Sequence, residues 1–261
     1  MPNLEIEYPE KPSKYSQQEW EARVNLAACY RLTDYYGWTS TVYNHITLRV
    51  PDTDTFLING FGLNYNEICA SNLVLVDLDG NKLSDDDFPI NKAGFIIHSA
   101  IHQARPKDLH CVMHSHEVNS QTLAASKSKL IPLTQEGCQL YERVGYHEFN
   151  GIVLNDEEKE KLINAIGDEK HTLLMRNHGL ITAGPTAAWA FIRHQHFIRN
   201  AEVQLKLMAS NAEMSIISDN VLKHTREQFE GGSAQAGAKV RHPEWPAFWR
   251  LLDSLDKNWK Q

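Results

Sequence analysis

The sequence has few cysteines, and the four it has, Cys29, Cys69, Cys111 and Cys138, are scattered with no C-x-x-C pair among them. That excludes a disulfide framework and offers no thiolate zinc motif, so they read as small buried residues. No apolar run approaches the ~20 residues that a helix needs to cross a bilayer, and no membrane span is expected. There is no Lys/Arg cluster either. With 26 basic against 33 acidic side chains and a formal net charge of -7, the chain lacks the concentrated positive patch that nucleic acid requires of its main partner. The first twenty residues, MPNLEIEYPEKPSKYSQQEW, put acidic residues and prolines where a signal peptide needs a basic start and an apolar stretch, which points to the cytoplasm.

What is plentiful is histidine, thirteen in 261 residues. Otherwise the composition is that of an ordinary globular chain, and one of this length buries roughly 70 to 75% of its unfolded surface without needing disulfides. Residues 1–15 read as an extended arm. From Ser16, a serine N-cap with Glu19 at the capping-box position opens a helix whose apolar residues recur from Trp20 to Leu32, and Gly37 ends it. HITLRV, TFLING and NLVLVDLDGNKL alternate in the manner of short strands joined by tight turns. AGFIIHSAIHQA returns to helical spacing and stops before Pro106; LHCVMHSH reads as a buried strand, and GIVLN and HTLLMRNHG as two more, with the amphipathic helix DEEKEKLINAIGD between them. After Gly184-Pro185, TAAWAFIRHQHFIRNAEVQLKLMAS is the longest helical stretch. EGGSAQAGAK reads as a linker, and Trp245, Phe248, Trp249, Leu252, Leu255 and Trp259 form an apolar stripe near the C-terminus. No repeat or composition shift marks a second core. The organisation is an arm (1–15), one α/β or α+β layered domain (16–230), and a linker with a Trp-rich helix (231–261).

The histidines differ in what their spacing allows. His194 and His196, two apart on a helix, point ~200° away from each other and cannot share a metal. His98 and His102, four apart, could converge, but HSAIH lacks the glutamate of the H-E-x-x-H zinc motif. His114 and His116 are two apart on a strand, so both project from one face of a rigid element. A catalytic metal site takes three protein ligands and keeps a position open. His178, after an apolar strand and before a glycine, is a candidate for the third.

FLINGFGLNYNEICASNLVLVDLDG, AGFIIHSAIHQARP, HSH, GYHEFNGI and RNHGLITAG, in this order and spacing, resemble the class II aldolase/adducin family over about Trp20 to Ser210, closest to its adducin-like branch and the small bacterial proteins that share that pattern. The resemblance implies a three-layer α/β/α domain around a mainly antiparallel sheet, assembled as a homotetramer with sites at subunit interfaces. It also implies a divalent metal, zinc in the aldolases, held by His114, His116 and His178, with Fe(II) or Mn as other candidates.

The departures from the family pattern bear on function. Sugar-phosphate aldolases of this family carry Ser-Ser-Glu four residues ahead of the position of His98, the serines holding phosphate and the glutamate moving protons; here those places are Lys92, Ala93 and Gly94. A retro-aldol reaction needs a group that exchanges protons as well as a Lewis acid, and losing the former costs about 10²- to 10⁴-fold. An ordinary sugar-phosphate aldolase is not expected. Glu136 stands roughly where the aldolases place a tyrosine that enters a neighbour's site, and is the candidate catalytic group. Asn44 in YNHITLR matches the asparagine of a substrate anion pocket, and Lys92 could meet a carboxylate, so both are candidate substrate-binding residues. Glu117 faces away from the ligands. The expected function is a metal-dependent lyase, cleaving or decarboxylating a small hydroxy- or oxo-carboxylate. Two alternatives are an Fe(II) oxygenase on the same three histidines and a non-catalytic assembly module like that of adducin.

Overall fold

A computed structural model describes residues 5–151, 156–235, 242 and 244–261; the side chains of Lys92, Ala93, Asp156, Glu157 and residues 232–235 lie outside that description. Helix α1 (Gln17–Tyr35) starts where the sequence signals it. Ser16 Oγ accepts from the Glu19 N–H at 3.1 Å, while the Glu19 carboxylate turns to Arg23 at 2.8 Å in place of closing the capping box. Gly37, at φ 70°, lets the chain leave the helix in the left-handed region.

Three strands follow, β1 (His45–Arg49), β2 (Thr55–Asn59) and β3 (Leu73–Asp77), and then helix α2 (Lys92–Ala104). The rest of the core comprises β4 (Cys111–Ser115), α3 (Val118–Ala125), β5 (Val144–His147), α4 (Asp156–Ile166), β6 (Thr172–Met175), β7 (Gly179–Gly184) and α5 (Ala187–Ser210). Helices α6 (Asp219–Gln235) and α7 (Trp245–Leu255) complete the described chain. The seven strands form one sheet in the order β3-β2-β1-β4-β7-β6-β5. All neighbours are antiparallel except β5 and β6, which are parallel because α4 carries the chain across as a crossover.

Strand alternation divides the side chains between two faces. Ile46, Leu48, Leu57, Cys111, Met113, Leu174 and Leu180 pack with α1 and α5 in the larger core. Val112, Leu173, Met175, Ile181 and Ala183 meet α2 and α4 on the other side. The domain is therefore a three-layer α/β/α fold around a mainly antiparallel sheet. The C-terminal stripe docks on this same chain: Trp245, Trp249, Leu252 and Trp259 are buried, and Trp245 Nε1 donates to Asn25 Oδ1 of α1 at 2.8 Å. Leu255 is the exception, 58% exposed. Cys29, Cys111 and Cys138 are buried and Cys69 partly so, all as free thiols.

Several elements differ from the expectations. The strand read at GIVLN spans residues 151–155, of which 152–155 lie outside the described ones. The run expected to be a linker begins as helix, since residues 230–235 are the end of α6. Helix α3 starts immediately after the histidine pair, because Glu117 is its N-cap: Oε1 accepts from the Asn119 N–H and Oε2 from the Ser120 N–H. Glu117 is thus structural and lies beyond the end of β4.

His98, His102, His171 and His194 are buried, and burial is the largest cause holding each below the ordinary histidine range, His102 and His194 at about 3. The unfolded chain therefore binds more protons than the folded one once pH drops below about 6.5. The stability these neutral rings contribute is present above that pH and is lost progressively as pH falls toward the folded values. Each ring can add up to about 1.4 kcal/mol per pH unit in this window. Urea midpoints measured from pH 8 to 4 should fall steeply below about 6.5; a flat profile down to pH 5 would contradict this burial.

Candidate metal centre

His114 ends the inward-facing series of β4, on the face that carries α2 and α4. Its Nδ1–H donates to the Leu180 carbonyl at 3.0 Å, so a neutral ring must present a bare Nε2. That atom lies 2.9 Å from His116 Nε2. His178 reaches the same place from the turn between β6 and β7, which Asn177 shapes with φ 55°. One ring nitrogen from each of the three lies within 4.8 Å of the others. His114 is buried while His116 and His178 are half-buried, so one side of the cluster is open.

Gly179 makes the convergence possible. A Cβ there would come within 2.4 Å of the Ser115 carbonyl oxygen and 3.0 Å of the His116 ring. Only a residue without a side chain lets β7 lie this close to β4.

The three rings fit a tetrahedral divalent cation. Metal–nitrogen bonds of about 2.0–2.1 Å put ligand nitrogens roughly 3.3 Å apart, between the 2.9 Å His114–His116 contact and the 4.8 Å span of the set, and the exposed side leaves room for a fourth ligand. All three are held neutral, the ligand form. Burial lowers His114 far below the usual range, with repulsion from His178 and His45 adding to it; burial, then His116, brings His178 to about 4; and burial lowers His116. The carbonyl behind His114 is the kind of outer partner that fixes a ligand's tautomer.

The other candidate residues sit differently. Asn44, immediately ahead of β1, is buried; its Nδ2 donates to the Trp38 carbonyl at 3.1 Å, and its Oδ1 has no hydrogen-bond partner among the described residues. Trp38 packs on Phe191 of α5, on the sheet face away from the cluster. Glu136 lies in a 3-10 turn at Glu136–Leu140, where the groups that feel its charge are His196, Glu244 and Cys138. It does not figure among the causes acting on the three clustered rings of its own chain. Lys92 opens α2, two residues before Gly94, with its side chain outside the description.

The residue missed in the sequence is His45. It pairs directly with His114 across β1 and β4, and their rings are 5.1 Å apart. Burial, with smaller contributions from His178 and His116, holds it at about 3. Its ring fills the space beside Gly94: a Cβ at 94 would lie 2.3 Å from His45 Nε2. The place that a glutamate side chain would occupy thus holds an imidazole from the neighbouring strand. Placing β1 next to β4 would have revealed this, since His45 shares its strand face with Thr47 and Arg49.

A layered α/β domain with three convergent imidazoles at the edge of its central strands is the class that fold and site define. The sequence profile of the Class II Aldolase and Adducin N-terminal domain matches residues 24–205, and the chain belongs to the class II aldolase/adducin family. It is similar to an aldolase II superfamily protein from Pseudomonas syringae of known structure, at 38% identity and TM-score 0.85 over 95% of this chain and 98% of that one. L-fuculose 1-phosphate aldolase from Glaciozyma antarctica superposes with TM-score 0.80 at 28% identity, covering 96% and 97% of the two chains. Alpha-adducin of Rattus norvegicus is 35% identical over 92% of this chain, which spans 34% of that longer protein.

Gly94→Ala separates two effects. Alanine improves helix propensity by about 1 kcal/mol, whereas a methyl forced against a hydrogen-bonded buried ring costs about 1–3 kcal/mol. A net loss of stability in urea unfolding is the expected outcome; a gain of about 1 kcal/mol would mean that His45 is not held against Gly94.

Proposed function

We propose that the chain is a zinc-dependent lyase that cleaves or decarboxylates a small hydroxy- or oxo-carboxylate, and not an ordinary sugar-phosphate aldolase. The observation that carries the reading is the convergence of His114, His116 and His178 with one side open. A bound divalent cation would act as Lewis acid on the 2-oxo or 2-hydroxy group. His114, anchored through Leu180, sets the rigid corner of the site, and His116 and His178 close it from either side. Lys92 is a candidate for holding the carboxylate, whereas Asn44, whose amide is engaged with the Trp38 carbonyl, would need to turn from that contact to do so. Glu136 would act only on a neighbouring subunit's site in a homotetramer. The four free thiols suit a reducing, cytoplasmic location.

The missing glutamate argues against the usual sugar-phosphate chemistry. Gly94 cannot move a proton, and His45 takes up the space where such a group would reach. Three imidazoles with open positions also suit Fe(II) and O₂ chemistry. The likeness to adducin keeps a non-catalytic assembly module as the other reading.

Metal content by plasma mass spectrometry on untagged protein tests this, beside the His114→Ala/His116→Ala variant. Near-stoichiometric zinc that is lost in the variant, with turnover in a screen of hydroxy- and oxo-acids, is expected. Iron with substrate-linked oxygen uptake would replace the lyase by an oxygenase. No metal, even after reconstitution, would overturn the enzyme reading in favour of the assembly module.

A further inference from the structure

Beside the three-ring cluster, a second set of histidines forms one unbranched buried line. His45 Nδ1 lies 2.8 Å from His98 Nε2, His98 Nδ1 is 2.8 Å from Thr47 Oγ1, Thr47 Oγ1 is 2.8 Å from His102 Nε2, and His102 Nδ1 is 3.0 Å from the Leu109 carbonyl. The four side chains are at most 4% exposed. The direction of every proton follows from the inner end. A carbonyl only accepts, so His102 Nδ1 carries a hydrogen and its Nε2, in a neutral ring, is bare. Thr47 must give its single hydroxyl proton to that nitrogen. Having done so, Thr47 can only accept from His98 Nδ1–H, which leaves His98 Nε2 bare, and His45 Nδ1–H then donates to it. The line ends in the remaining atom, His45 Nε2, which has no hydrogen-bond partner among the described residues.

We propose that this line locks His45 in the Nδ1–H tautomer, so that its Nε2 lone pair accepts a hydrogen bond from a substrate hydroxyl and selects a hydroxy acid over a phosphate at this point of the site. The proposal rests on the reading of the three-histidine cluster as the substrate site. Its physical basis is sign. The dianion of a phosphate monoester, whose second pKa is about 6, has oxygens that only accept and would face a lone pair with no N–H to meet it, whereas a hydroxyl donates to the same atom. Gly94 strengthens the selection, because it contributes no side-chain donor that could reverse it. His45 is here a specificity-determining residue, and Thr47, His98 and His102 are positioning residues behind it.

Long-range ¹H–¹⁵N correlation on histidine-labelled full chain, metal-free and zinc-loaded, reads the tautomer of each ring, with His45→Gln assigning the resonances. The expected result is a single Nδ1–H form for His45, a shift of its Nε2 resonance on adding glycolate, and none on adding methyl phosphate as its dianion at about pH 8. Thr47→Val, isosteric but without the hydroxyl, should give a mixture of tautomers and weaken glycolate binding about three- to tenfold by the same titration. A protonated Nε2 in the wild-type chain, or a response to methyl phosphate without one to glycolate, overturns the proposal; these arms need no variant to fold. A locked His45 in a chain that takes up no zinc would support the line while overturning the metal reading, so the two failures are distinguishable.

Discussion

The pairing of β4 with β1 on one side and β7 on the other positions each imidazole at the site. Register places His45 opposite His114 and Ser115 opposite Leu180, whose carbonyl then holds His114 Nδ1. A slip of one residue in either ladder would turn these rings to the α1–α5 side of the sheet. What makes the register tight is small: Gly179 allows β7 to approach Ser115, and Gly94 allows α2 to lie over the His45 ring. Burial of alternating apolar residues on both faces holds it there.

Burial has a chemical consequence as well. Charging a ring in this interior is costly, so the histidines around the site stay neutral and each must direct one N–H and one lone pair. On one side the result is a lone pair at His114 Nε2 suited to a cation, and on the other a lone pair at His45 Nε2 suited to a hydroxyl. Gly94 stands where the family resemblance implies a glutamate, and the His45 imidazole takes up the space beside it.

Much of this was legible before the structure. The cap at Ser16 acts as read, with its oxygen accepting from the Glu19 N–H. The alternation in HITLRV, TFLING and LVLVD gives three strands in place. Strand period and a following glycine mark the three histidines as candidates, the family resemblance implies them as a ligand set, and the structure brings them together. Other elements were hidden for physical reasons. Residues 144–147 form a strand of only four residues, in which Val144 and Tyr146 alone alternate, and α3 has scarcely one apolar face, so tertiary packing decides both. Gly231 and Gly232 suggested a linker, but α6 continues through them. His45 was missed because its meaning depends on a partner strand 69 positions away, His114, which local pattern does not reveal.

Anomalous diffraction at the zinc edge, from crystals grown with zinc, tests most directly whether the three imidazoles hold a cation. A single strong peak about 2 Å from one nitrogen of each of His114, His116 and His178 is the predicted result. Full occupancy elsewhere with none at this cluster would contradict it.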